Sequence, residues 1–483
     1  MPRPDRRARP RLAPRVERQR PGLSRRAVRR DTPPPPSPSA RGLALDTLIR
    51  VERDQAWADR VLEARFAAES LASRDRALAT ELTYGTLRWQ RRLDWHLGAV
   101  SRRPLADLAP WVRALLRLSA YQLGWLDRVP PWAAVSEAVA LAKRRRPPRA
   151  AAFVNGVLRA LAACPRPWAE PVAQAGDDPV DILGLRASQP TWLVRRWASR
   201  YGLRATEALA LAMNERPRLV LRVNTLVASP DEVRTQLESG ATRVHPARFA
   251  PEALVVEGAG DPASLLPVQR GSACVQDEAA VLVGHALAPE PGETVADVCA
   301  APGTKTTHLA QLMGNRGRIL ASDPHPARLA RLRAAAARLG ATIVDAFPGD
   351  AALLARRIGP ACDRVLVDAP CSNLGVLRRN PDGKWRRCEA DLVRLGATQR
   401  ALLLEAATLV RRGGVLVYAT CSLEPEENEA VVEAFRAARP DFAPDPMPAA
   451  VPAACREMPE RLRMSPATHD TDGFTATRLR RDS

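Results

Sequence analysis

Two cysteines follow apolar, β-branched runs, in Val365-Leu-Val-Asp-Ala-Pro-Cys371-Ser372 and Val415-Leu-Val-Tyr-Ala-Thr-Cys421-Ser422. A third such run, Thr294-Val-Ala-Asp-Val-Cys-Ala-Ala-Pro-Gly-Thr-Lys305, passes into a glycine turn. In an open parallel sheet, ligands bind beyond the carboxyl ends of the strands. Three runs of this kind would therefore aim their last residues into one crevice. A thiol there acts as a nucleophile once its pKa falls below the ordinary value of about 8.5. Methylation of cytosine C5 has this need: a thiolate adds at C6, and C5 then attacks a methyl sulfonium. A base next removes the C5 proton and the thiol leaves. An acid must steady the ring at N3, and Asp368, three residues before Cys371, ends the same strand. Burial beside a thiolate is expected to raise its pKa, so that it holds the proton it donates. A single strand-end cysteine is more often a small buried hydrophobe, the reading given to Cys362 and Cys388. Two Cys-Ser steps at adjacent strand ends point to chemistry instead.

The glycine turn, Cys299-Ala300-Ala301-Pro302-Gly303-Thr304-Lys305, opens a helix near Thr306. Small residues let backbone approach a ligand, and a helix N-terminus favours an anionic group. The next strand ends at Asp323, placed to accept from a ribose diol, and a third turn ends at Gly349-Asp350, within reach of an adenine edge. Asp323 alone could equally serve to start the helix after Pro324. The chain lacks G-x-G-x-x-G at this turn, which disfavours NAD.

The elements that must carry these residues divide the chain into five parts. Residues 1–40 are an Arg/Pro-rich tail, expected to be disordered, and 41–165 are a helical domain with apolar residues every three and four positions. Residues 166–190 read as a linker. Residues 191–270 form a small α/β subdomain, with a strand from Leu219 to Thr225 and a helix capped near Ser229. Residues 271–483 alternate strands and helices, as a mostly parallel, doubly wound sheet requires. Its strands are predicted at Thr294–Val298, Ile319–Ser322, Thr342–Val344, Arg364–Val367 and Val415–Ala419. A last strand, Gly473–Leu479, should lie antiparallel at the edge or just inside it.

The formal charge is +20, and twelve arginines against Asp5 and Glu17 place +10 of it in the first 30 residues. Such an excess points to a polyanion partner. Of 73 basic residues only Lys143, Lys305 and Lys384 are lysine. Two of these three lie within the cofactor and base-site motifs, where a compact cation is preferred to a guanidinium fork. Arg144, Arg145 and Arg146 read as a basic loop, and Arg378, Arg379 and Lys384 as further RNA contacts. The eight cysteines form no C-x-x-C pair, which argues against zinc and against a disulfide framework. No apolar run has membrane length and no export signal opens the chain, so a soluble, cytoplasmic, monomeric protein is expected.

The motifs Asp-Val-Cys-Ala-Ala-Pro-Gly-Thr-Lys, Asp-Ala-Pro-Cys-Ser, Arg378-Arg-Asn-Pro-Asp-Gly-Lys-Trp385, Tyr-Ala-Thr-Cys-Ser with Glu-Pro-Glu-Glu-Asn428, and Asp472-Gly-Phe474 occur in one order. In this the chain resembles the Sun/Nol1/Nop2 family of RNA cytosine-C5 methyltransferases, closest to its bacterial 16S ribosomal RNA branch. Asp75-Arg-Ala-Leu-Ala-Thr-Glu-Leu and Phe153-Val-Asn-Gly-Val-Leu-Arg159 resemble a NusB-type RNA-binding domain. The resemblance implies an all-α NusB-like domain before a Rossmann-like class I methyltransferase domain. It also implies S-adenosyl-L-methionine as cofactor, RNA as partner, and neither metal nor membrane. It makes Cys421 the nucleophile and Cys371 the residue of product release, a ranking that spacing leaves open. Residues Cys299 through Lys305 with Asp323, Asp350 and Asp368 become cofactor contacts. Thr304 stands where the family has glycine. Thr475 replaces a second phenylalanine, which is expected to loosen packing near the nucleophile. Transfer RNA as substrate, or a non-catalytic RNA-binding factor, remain the alternatives.

Overall fold

The computed structural model describes residues 39–482 except 146–147, 166–167, 175 and 239–241. The Arg/Pro-rich tail up to residue 38 and Arg146 thus lie outside the described residues. Between Ala40 and Ala162 the chain forms seven α-helices. The first is capped by Ser39, whose hydroxyl accepts from the Gly42 amide at 3.1 Å. Leucines at helical spacing, among them Leu45, Leu48, Leu82, Leu115, Leu118 and Leu158, turn inward to a common core. Burial of that stripe, more than helix propensity, holds the bundle together. The stretch read as a linker carries a helix, Pro179–Arg186, whose N-cap Asp178 accepts from the Val180 amide. Pro179 and Asp181 lie in its first turn. No helix of the described residues is long and apolar enough to cross a membrane.

Four short strands follow: β1 (Leu219–Val223), β2 (Arg243–Pro246), β3 (Ala253–Glu257) and β4 (Ala273–Val275). They pair antiparallel in the order β2-β3-β1-β4. The helix Pro230–Leu237 begins with a reciprocal cap between Ser229 and Glu232, as its sequence predicts. Glu252, just before β3, accepts from His285 Nε2 at 2.8 Å and from His308 Nε2 at 2.7 Å, which ties the small sheet to two helices of the larger domain.

The larger sheet has nine strands: β5 (Thr294–Asp297), β6 (Arg318–Asp323), β7 (Val344–Pro348), β8 (Cys362–Asp368), β9 (Val410–Thr420), β10 (Phe442–Pro444), β11 (Arg456–Met458), β12 (Arg461–Met464) and β13 (Phe474–Arg481). The order is β11-β12-β13-β9-β8-β5-β6-β7, with β10 on β13. The five strands from β9 to β7 are parallel; β13 runs antiparallel between β9 and β12. The third strand lies later than Thr342–Val344, because its register runs from Ile319↔Val344 to Asp323↔Pro348. Strand order reverses around β5, which has β8 on one side and β6 on the other. A crevice opens there beyond the strand ends.

The segment Arg378–Arg387 joins the two large domains. Arg88 Nη2 donates to the Arg378 carbonyl (2.7 Å), Trp385 Nε1 to the Leu87 carbonyl (2.6 Å), and Lys384 Nζ to the Arg88 carbonyl (2.8 Å) and Asn214 Oδ1 (3.1 Å).

Candidate active site

The Cys299–Lys305 loop leaves β5 at the crevice, with a cis Ala301–Pro302 bond and Gly303 at φ 106°. That φ is open to glycine, and a Cβ there would press on Leu332 at 3.1 Å. Thr304 begins the helix Thr304–Leu312, and its carbonyl accepts from Arg222 Nη1 at 2.6 Å. Lys305 Nζ donates to Asp368 Oδ2 at 2.8 Å and lies 4.9 Å above the Phe474 ring. Burial works against the ammonium, but Asp368, and beyond it the field of Cys421, raise its pKa.

Burial drives the carboxyl of Asp297, at the end of β5, up to about 7. Asp297 is fully enclosed and accepts from Thr306 Oγ1 at 2.7 Å. Asp368 is 29% exposed and ion-paired with Lys305 instead. Asp323, buried at the end of β6, accepts from the His325 amide at 2.9 Å and pairs with Arg328. Asp350 caps the helix Ala351–Ile358 through the Leu353 amide. Both acids, Lys305, Asp368 and the two cysteines line a single cleft of about 490 Å³.

Cys371 Sγ and Cys421 Sγ lie 3.1 Å apart. Cys371 is buried, and its pKa is raised well above the usual thiol range, by its hydrogen bond with Cys421, by burial and by the Cys421 charge. Cys421 is half-buried, on the cleft side. The two loops are locked by groups that spacing did not reveal. Glu427 accepts from the Ser372 amide (2.7 Å) and hydroxyl (2.5 Å), and Asn428 accepts from Thr420 Oγ1 at 2.6 Å. Gly375 N donates to the Cys421 carbonyl at 3.0 Å and Gly473 N to the Gly375 carbonyl at 2.8 Å. A Cβ on Gly375 would sit 2.2 Å from Gly473 O, so only glycine allows this contact. Asn373, at φ 64°, sets Oδ1 3.0 Å from Cys421 Sγ and 3.5 Å from Cys371 Sγ. Its role depends on backbone direction, which no motif spells out. Thr475 does not loosen the site: it is buried, and its hydroxyl donates to the Ser422 carbonyl at 3.1 Å.

The cations expected to meet RNA are placed otherwise. Arg378, 1% exposed, pairs with Asp472 (3.0 Å) and Asp470 (3.2 Å), and Arg379 with Asp472 (2.5 Å) and Asp277 (2.7 Å). Lys384 is 1% exposed, and burial followed by the Arg88 charge lowers its pKa far below that of a free lysine. Arg144 and Arg145 end the helix Pro131–Arg145 rather than forming a loop, and Arg145 is ion-paired to Asp46. Turning Arg378, Arg379 or Arg145 toward a phosphate would break these ion pairs.

The bundle, the small antiparallel sheet and the switch-point cleft with its two thiols define a class: a Rossmann-like methyltransferase domain with two accessory domains. Sequence comparison agrees part by part. Residues 284–480 match the family described as 16S rRNA methyltransferase RsmB/F, residues 38–163 the NusB family, and 189–262 the ferredoxin-like domain of RsmF/B-like methyltransferases. The chain is 39% identical over 451 residues to the probable ribosomal RNA small subunit methyltransferase B of Bacillus subtilis, across 92% of this chain and 99% of the relative. Identity to the protein of that description in Synechocystis is 37% over 453 residues, again across 92% and 99%. The crystal structure of PH0851 matches with a TM-score of 0.77 at 29% identity, across 92% of this chain and 98% of that one. The chain belongs to the RsmB/F family of 16S rRNA methyltransferases.

Proposed function

We propose that this protein methylates C5 of a cytosine in small-subunit ribosomal RNA, with S-adenosyl-L-methionine as methyl donor. The observation that carries the reading is the thiol pair, 3.1 Å apart, at a cleft with acids on neighbouring strand ends. The names of the Bacillus and Synechocystis relatives support the ribosomal substrate. The cleft volume, about 490 Å³, falls in the range of small-ligand sites. Asp323 would hold the ribose, Asp350 the adenine edge, and the Cys299–Lys305 backbone with Asp368 the remainder.

When bound, the cofactor supplies an electrophilic methyl group. Cys421, as thiolate, forms a bond to C6 of a cytosine lifted from its stack. The C5–C6 electrons move toward C5 and N3, and the Lys305–Asp368 pair contacts the ring edge where that charge collects. Cys371 then becomes a base for a reason visible in its environment. Its pKa is raised by the hydrogen bond with Cys421, then by burial and by the Cys421 charge. Once Cys421 is bonded to carbon, its hydrogen bond and its charge no longer hold the proton and burial remains, so Cys371 gives up its proton more readily than in the free enzyme. C5 would take the methyl group, the broken C–S bond leaving its electrons on the donor sulfur; the Cys371 thiolate then takes the C5 proton, the C5–C6 double bond re-forms, and Cys421 leaves as thiolate.

Bisulfite sequencing of RNA from cells with and without the gene tests the reading. One cytosine signal lost from small-subunit ribosomal RNA is the expected result. Loss from a transfer RNA would keep the chemistry and overturn the substrate. No change at any site would favour a non-catalytic RNA-binding factor.

A further inference from the structure

The helical domain has a groove of about 650 Å³ between the helices Pro131–Arg145 and Pro148–Ala162, far from the thiols in sequence. Its apolar floor includes Val135 and Val139, and Trp132, Lys143, Asn155 and Arg159 rise around it. Trp132 is 75% exposed, whereas the next most exposed tryptophan, Trp95, is 39%. An indole left in water on a folded domain is unfavourable unless something covers it. Positions 132, 136, 139 and 143 follow one face of the helix, and Asn155 and Arg159 do so on its neighbour. Neither Lys143 nor Arg159 has an acidic partner among the described residues. Arg145, by contrast, is paired to Asp46. Lys143 is also the one lysine that neither the cleft nor the domain junction employs.

We propose that this groove is a binding site for single-stranded RNA, with one unstacked base on Trp132 and phosphates on Lys143 and Arg159. The inference rests on RNA being the substrate and names where a flanking strand is held. At 1.5 Å per residue, Trp132 and Lys143 stand about 16 Å apart along the helix, the reach of a few extended nucleotides. Bases stack on aromatic faces with little regard to sequence, and cations follow the backbone. The chain's own tail is a poor occupant: its first 30 residues carry +10 and would be repelled by Lys143 and Arg159.

The test is binding of a short, unstructured, fluorescein-labelled RNA to the full chain over a range of salt. Trp132→Ala should weaken binding on the order of 5- to 100-fold, and Trp132→Phe should restore most of it. The double variant Lys143→Ala/Arg159→Ala should reduce the salt slope by about 1.4, from ~0.7 per lost phosphate contact. S-adenosylmethionine affinity, measured alongside, should stay unchanged and shows that each variant is folded. Wild-type affinity and slope in these variants would overturn the proposal while leaving the methyltransferase reading intact. Failure of the wild-type chain to bind RNA would bring down both. Unchanged RNA binding with lost capture of an acidic protein would reassign the groove to a protein partner.

Discussion

Cys371 and Cys421, fifty residues apart in the chain, bring their sulfurs to 3.1 Å at the ends of the neighbouring strands β8 and β9. Two thiolates at that separation repel, so the pair holds one negative charge at most near neutral pH. The hydrogen bond and burial favour the proton on Cys371, and Cys421 is the more open of the two, which supports the nucleophilic role proposed for it.

Cys421→Ala should abolish turnover, with cofactor affinity unchanged in calorimetry. Cys371→Ala should still form the bond to C6 but release it slowly. A covalent RNA–protein adduct would then accumulate as a retarded band on a denaturing gel. Full turnover without an adduct in Cys371→Ala would reduce that thiol to a packing role.

Asn373 touches both sulfurs, so a charge introduced there acts directly on the pair. Asn373→Asp should raise the pH midpoint of Cys421 alkylation by iodoacetamide by about one unit or more. Asn373→Gly, which accepts the positive φ, should leave the fold intact. Equal midpoints in wild type and Asn373→Asp would mean that Asn373 merely shapes the turn.

Arg378→Ala would leave Asp472 and Asp277, both at most 5% exposed, to share Arg379 after losing one of their two cations. The expected cost is about 1–3 kcal/mol in denaturant unfolding, from the lost hydrogen bonds between charged groups. Lys384→Met should cost about 1–3 kcal/mol by removing a donor from the Arg88 carbonyl and Asn214. Neither variant should change the salt slope of RNA binding. A slope that falls in either one would return these residues to the RNA interface.

His308 is fully buried, and burial lowers its pKa to about 4 despite the Glu252 bond. The unfolded chain protonates this histidine below about 6.5 while the folded chain holds it neutral. The unfolded state therefore binds more protons between those values, and stability falls as pH drops from about 6.5 to 4, by up to about 3 kcal/mol. Melting temperature should decline over that window more steeply in the wild type than in His308→Gln. Parallel curves would assign the acid sensitivity to other groups.

Much of the catalytic half was legible in the chain because its signals are local. Runs such as Val365–Val367 and Val415–Val417 mark strands buried on both faces, and each ends at the residue that reaches the crevice. The glycine turn, the acids at 323 and 350 and the two thiols could be named for the same reason: parallel strands deliver their carboxyl ends to one place. Tertiary structure decided what depends on distant partners. The Arg378–Lys384 motif reads as a basic surface, yet its cations face Asp472, Asp277 and the Arg88 carbonyl, because a charge pattern does not say which side of a segment is covered. Burial raises the pKa of Asp297, while Asp368 stays open enough to pair with Lys305, since enclosure is a property of the whole packed core. The contact of Asn373 with both sulfurs needs the left-handed turn that Gly375 and Gly473 make possible by their close approach. Residue type thus determined the chemistry available to this protein, and packing decided which groups remain free to perform it.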